Sequence, residues 1–129
     1  MTISMFLKYP GTFKVAVCGG PVIDWKYYEV MYGERYMDTP EDNPEGYNNA
    51  STLNYVKNLK GKLLIIHGTM DNTVVWQHSL LFIKKCIDEG KQVDCFVYPD
   101  HEHNVTGKDR IHLYHKIFDY VDENVNRQK

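Results

Sequence analysis

No apolar run in this sequence approaches the roughly 18 residues that a membrane-spanning helix needs, so no membrane segment is expected in the chain. A signal peptide is not visible either, because Met1–Tyr9 is apolar but has neither a basic start nor a cleavage site. Cysteine is sparse. Cys18, Cys86 and Cys95 follow no zinc or redox spacing, and three thiols cannot all pair within one chain. They read as small apolar core residues and leave the compartment undecided. An excess of charge of one sign is also missing: the net charge is -2 and Lys and Arg are scattered. Without a basic stripe, no nucleic acid is expected as a partner. There is no internal repeat and no low-complexity tract.

What is present is enough for a core. The 129 residues are 43% hydrophobic and 13% aromatic, which suits one domain at most and excludes disorder as the default. The ten tyrosines are many for this length. Tyr27, Tyr28, Tyr32 and Tyr36 lie close together and point to a shaped amphipathic surface.

Three short β-branched or aromatic runs, Phe13–Cys18, Leu63–His67 and Val93–Tyr98, are each followed by Gly, Pro or Asp, as strands are. Helical spacing appears in Val75–Glu89, with Leu80, Ile83 and Ile87 as its apolar face and Gly90 as its stop. A second such stretch, Arg110–Val125, aligns Ile111, Tyr114, Ile117, Phe118 and Val121. Met1–Lys8 resembles the interior and end of a helix, closed by Tyr9-Pro10-Gly11. Asp38–Ser51 is rich in Pro, Asp, Asn and Gly and is expected to be mostly loop. Strands alternating with helices predict an α/β fold, its parallel strands side by side in chain order and flanked by helices.

In such sheets the chemistry sits on loops at the carboxyl ends of strands. Asp71 follows the second strand, and His101 and His103 follow the third. An acid and then an imidazole, on successive strand ends, is the tail of the Ser…Asp…His order of α/β-hydrolases. Asp in such a loop is also a common turn former, and loop histidines are commonly solvated. His101, His103, His112 and His115 could gather a metal in principle, but His112 and His115 suit the polar face of a helix, and no metal is expected. His67, closing a strand, reads as a buried structural residue.

HGTMDNTV (His67 to Val74) and PDHEHNV (Pro99 to Val105) resemble the segments around the catalytic Asp and His of the prolyl oligopeptidase family. FKVAVCGGPVIDWKYYEVMYGERYM (Phe13 to Met37) is similar to the dipeptidyl peptidase IV branch of that family, and the likeness runs over essentially the whole chain. The resemblance implies that residues 1–129 are the C-terminal portion of an α/β-hydrolase peptidase domain, holding its last three parallel strands. Met1-Thr2 would directly follow the nucleophile elbow, so that the N-terminal propeller and the nucleophile segment lie outside the chain. It further implies Asp71 as the triad acid and His103 as the base. Val22, Trp25, Tyr28, Tyr32 and Val74 would wall the pocket for the side chain preceding the cleaved bond. Aromatic faces suit a compact ring such as proline. Without the resemblance, Tyr28 and Tyr32, four apart, read equally well as core residues of a helix.

The implied parent is an exported serine exopeptidase that releases N-terminal X-Pro or X-Ala dipeptides, with peptide as its partner and no cofactor. Two positions depart from the branch: Thr73 stands where an Asn commonly holds a substrate carbonyl, and Asn104 where Gly commonly follows the His. No Gly-x-Ser-x-Gly occurs, and Ser4, Ser51 and Ser79 lack that context, so the chain alone is expected to be inactive. A carboxylesterase or acylaminoacyl peptidase of the same fold is the neighbouring alternative, against which the Trp25–Tyr28–Tyr32 set speaks. A non-catalytic flavodoxin-like interaction module is the alternative of another class, and it predicts no Asp71–His103 hydrogen bond. An unpaired edge at the first strand predicts a homo-oligomer.

Overall fold

The strand segments do assemble side by side. In the computed structural model, which describes residues 1–126, β1 (Val15–Gly19), β2 (Lys62–Gly68) and β3 (Asp94–Tyr98) form a parallel sheet in the order β1-β2-β3. Cys18 lies opposite Ile65, and Gly68 opposite Tyr98. That register brings the ends of all three strands to one edge of the sheet.

Helices cover both faces. On one face α1 (Thr2–Lys8), α4 (Gln77–Asp88) and a 3₁₀ segment (Thr52–Asn58) enclose Ile3, Phe6, Leu7, Ile23, Val56, Leu63, Ile65 and Phe82. Each buried Leu, Ile or Phe contributes about 1.5–3 kcal/mol. On the other face α5 (Asp109–Asn126) lays Tyr120, Leu113 and Ile117 over Leu64 and Ile66. Tyr120 donates its hydroxyl to Asp94 Oδ2 at 2.7 Å, and burial with this acidic partner pushes its pKa well above the ordinary phenol value.

Four sequence expectations are corrected. Asp38–Ser51 is half helical: α3 (Pro44–Ala50) starts at Asn43, whose Oδ1 accepts the Gly46 N–H at 3.0 Å. Asn-Pro here is an N-cap followed by an N1 proline, a start signal composed of turn-forming residues. On α4 the buried residues are His78, Ser79, Phe82 and Cys86, whereas Leu80 and Ile87 face solvent and Ile83 is half-buried. The helix turns its mixed polar face inward because buried hydrogen-bond partners wait there. On α5 only Ile117 of the expected face packs on the sheet; Ile111, Tyr114, Phe118 and Val121 are exposed. Periodicity identifies an apolar stripe without saying what covers it. Cys95 is exposed on the edge strand β3, unlike Cys18 and Cys86, whose thiols burial pushes up to about 12 and about 11.

Among the described residues β1 pairs only with β2, which leaves its other edge open beside the exposed stripe of α5. Unpaired N–H and C=O groups next to an apolar surface are a template for association. We therefore expect the isolated chain to sediment as a dimer or larger at micromolar concentration. Val15→Lys should shift it toward monomer if the edge mediates contact, and Phe118→Lys if the helix does. A monomer that is unchanged across the concentration series would refute the expectation.

Candidate active site

β2 ends at Gly68 and turns through Thr69–Thr73, while β3 ends at Tyr98 and turns through Pro99–Asn104. The two turns are laced together. Thr69 N–H donates to the Tyr98 carbonyl at 3.1 Å, Met70 N–H to the His101 carbonyl at 2.9 Å, and Asp100 N–H to Thr69 Oγ1 at 2.9 Å. Any residue on one loop is thereby fixed against the other.

Asp71 uses this frame fully. Its Oδ1 accepts the N–H groups of Thr73 at 3.0 Å and Val74 at 2.8 Å, and its Oδ2 accepts Nδ1–H of His103 at 2.8 Å. The carboxylate side chain is fully buried, whereas the imidazole is 39% exposed. With Nδ1 engaged by the acid, Nε2 is the nitrogen left to exchange a proton. The other loop histidine is elsewhere: His101 Nε2 pairs with Asp109 Oδ2 at 2.8 Å, a contact that engages it away from Asp71. His112 takes the Tyr98 hydroxyl at 2.9 Å. Of the two loop histidines, the structure thus joins His103, and not His101, to Asp71.

Trp25, Tyr28 and Tyr32 also come together. Trp25 opens a 3₁₀ element, Trp25–Tyr27, and Tyr32 lies on α2 (Val30–Met37). Tyr28 meets Trp25 edge-on at a centroid distance of 5.3 Å and Tyr32 at 5.6 Å, while Trp25 and Tyr32 are nearly parallel at 6.1 Å. Glu29 caps α2 by accepting the N–H groups of Met31 and Tyr32. Tyr32 is 50% exposed, so the cluster is a wall open to solvent and not a core. Val22 is half-buried in the loop that leads to it. Val74 is buried directly behind Asp71, its N–H on the carboxylate and its carbonyl on His67.

Other contributors carry weaker sequence signals. Gly20 has φ +44° and lies against the pair: a Cβ there would stand 2.8 Å from His103 Cε1 and 3.1 Å from Asp71 Oδ2. The Gly-Gly-Pro run that begins with the last residue of β1 is its signature. His67 is buried as expected, but it is not passive. Its Nε2–H donates to the Val74 carbonyl at 2.7 Å and lies 3.4 Å from Asp71 Oδ2, and its Nδ1 accepts the Ser79 hydroxyl at 2.7 Å. Asp24 is buried too, with Oδ1 on Lys26 N–H at 3.0 Å and Oδ2 on the Ser51 hydroxyl at 2.7 Å.

The arrangement can orient an imidazole and support it as it becomes an imidazolium, next to an aromatic wall. Comparison with known proteins gives the family. The chain is 40% identical, over 82% of its length, to "Probable dipeptidyl-aminopeptidase B" of Paracoccidioides brasiliensis, and covers 11% of that protein. The likeness to the protein of the same name from Aspergillus oryzae is 38% over 81%, covering 12% of it. A crystal structure of a dipeptidyl-aminopeptidase-IV-like protein from Bacteroides ovatus superposes with a TM-score of 0.95 at 57% identity, over 97% of this chain and 18% of that one. The crystal structure of Porphyromonas gingivalis dipeptidyl peptidase 4 superposes with a TM-score of 0.92 at 34% identity, over 96% of this chain and 18% of that one. The chain therefore spans under a fifth of the length of these relatives, and its three-stranded sheet is a partial α/β-hydrolase fold. The family model for the prolyl oligopeptidase family matches residues 1–128, and this chain belongs to that family.

Proposed function

We propose that this chain supplies the acid, the base and part of the substrate pocket to a serine exopeptidase that removes N-terminal X-Pro or X-Ala dipeptides. The observation that carries the proposal is the 2.8 Å bond between Asp71 Oδ2 and His103 Nδ1, at the carboxyl ends of neighbouring parallel strands. In this reading His103 Nε2 takes the proton of a serine that attacks the scissile carbonyl. The same nitrogen then returns that proton to the leaving amine, while Asp71 fixes the tautomer and stabilises the imidazolium. Trp25, Tyr28 and Tyr32, with Val22 and Val74, receive the side chain preceding the cleaved bond. The three rings pack on one another at centroid distances of about 5–6 Å, and the solvent-open side of that wall suits a flat, compact pyrrolidine or a methyl group over a long chain.

The serine is assigned to a part of the protein outside these residues. The hydroxyls of Ser51 and Ser79 are buried and donate to Asp24 and His67, and Ser4 lies on α1 behind the sheet core. None of the three sits in a strand-to-helix elbow. The isolated 129-residue chain is accordingly expected to leave a Gly-Pro chromogenic substrate intact, whereas a protein of the relatives' length containing this sequence should cleave it. Substantial turnover by the isolated chain, abolished by Ser4→Ala, Ser51→Ala or Ser79→Ala, would overturn the assignment.

A further inference from the structure

Two adjacent residues on the first turn of α4, His78 and Ser79, are buried and polar, an unusual use of a helix face that has Leu80 and Leu81 to offer. Ser79 reaches the acid side of the site through His67. His78 reaches the aromatic side. The Ile23 N–H donates to His78 Nδ1 at 3.2 Å, and His78 Nε2 lies 3.2 Å from the Tyr27 carbonyl oxygen. A carbonyl only accepts, so Nε2 bears the proton, and the N–H of Ile23 requires an unprotonated Nδ1. Both bonds exist together only in the neutral Nε2–H tautomer.

Ile23 and Tyr27 bracket Trp25, and one ring thus holds the backbone on either side of it. The same stretch is tied from behind by Thr52, whose N–H and hydroxyl both donate to the Ile23 carbonyl at 2.9 Å. Tyr28 N–H closes the turn on the Trp25 carbonyl at 3.2 Å. Removing the imidazole would leave a buried N–H and a carbonyl without their partner, and the turn would move to satisfy them.

We propose that His78 is a specificity-positioning residue, whose neutral imidazole fixes the Trp25–Tyr28 wall relative to the Asp71–His103 pair. The inference rests on the reading of that wall as the pocket for the penultimate side chain. It separates two functions along one helix turn: His78 governs fit of the substrate side chain, and Ser79 with His67 governs the acid loop. Burial pushes the His78 pKa below its ordinary value. Asp24 on the 3₁₀ turn, His67 on β2 and Asp71 on its loop are the titratable groups that face it. Protonation would place an Nδ1–H against the Ile23 N–H, so the clamp opens as pH falls through the depressed pKa.

The test uses a protein of the relatives' length containing this sequence. Hydrolysis of a Gly-Pro anilide is measured beside serine labelling by a small fluorophosphonate, which needs the nucleophile and base but no proline pocket. His78→Ala should raise KM about tenfold or more, by the cost of an unpaired buried donor, with kcat and labelling rate changed less than about threefold. His78→Gln, which offers an acceptor and a donor but no titrating proton, should restore KM. It should also flatten the acid side of the KM–pH profile relative to the wild type. KM unchanged in His78→Ala would overturn the proposal, as would equal losses in KM, kcat and labelling that His78→Gln fails to rescue. If His78→Ala does not fold, identical KM–pH profiles for wild type and His78→Gln would overturn it. A wild type that labels but ignores Gly-Pro substrates refutes the pocket reading and the proposal with it; one that does neither refutes the peptidase reading.

Discussion

Asp71→Asn, made in a protein of the relatives' length, is expected to lower kcat for a Gly-Pro anilide by about 10⁴-fold, the loss known for the corresponding change in a well-characterised Ser-His-Asp triad, with KM little altered. The geometry explains why so small a change should cost so much. Oδ1 of Asp71 accepts two backbone N–H groups, from Thr73 and Val74, so an asparagine must place its own carbonyl oxygen there. Its NH₂ then faces His103 Nδ1, where the carboxylate had accepted a proton. A donor at that point forces the other imidazole tautomer, with the proton on Nε2, and such a ring cannot take a proton from serine. The loop bonds survive, so thermal stability should change little, and that separates lost chemistry from lost fold. Steady-state kinetics with a melting curve on the same preparation is the check. A kcat within tenfold of wild type would end the role assigned to Asp71.

Gly68→Ala should have the second largest effect, this time through structure. Gly68 is the last residue of β2, and a Cβ there would stand 2.2 Å from the His101 carbonyl oxygen and 2.3 Å from that of Glu102. Both obstacles are backbone, so no side chain can swing aside. Either β2 or the loop carrying His103 must move. The loop is held by Met70 N–H on that same His101 carbonyl, a bond that would be strained first. Overpacking of this kind costs about 1–3 kcal/mol or more, which in a protein of the relatives' length corresponds to a melting temperature lower by on the order of a few °C. Activity should fall further than stability accounts for, because His103 lies immediately beyond the displaced carbonyls. A variant with unaltered melting temperature and kcat would show that the approach of loop to strand is not as close as described.

Much of this was legible from residue order alone. The three strands announced themselves through β-branched runs ended by Gly, Pro or Asp, and crossover lengths made them parallel. Asp71 and His103 were readable because strand-end loops are short, so that 32 residues of helix and strand return the chain to the same edge of the sheet. Resemblance, and not spacing, favoured His103 over His101; the structure distinguishes them by giving His101 its own partner in Asp109. Asn43-Pro44 misled because turn formers and helix starters are the same residues, and only the buried Tyr47, its hydroxyl on the Asp38 carbonyl at 2.9 Å, shows which way the chain went.

The sequence by itself determined the fold class and the family and named the candidate acid and base, since each rests on local pattern or on matching motifs. Tertiary structure alone decided which face of each helix is buried, because an amphipathic pattern names a stripe and not its cover. On α4 it chose His78 and Ser79 over Leu80 and Ile87, since unpaired backbone at Ile23 and Tyr27 and an imidazole at His67 awaited polar partners. It also decided what Gly20 and Gly68 are for, because the need for an absent side chain exists only where another part of the chain arrives.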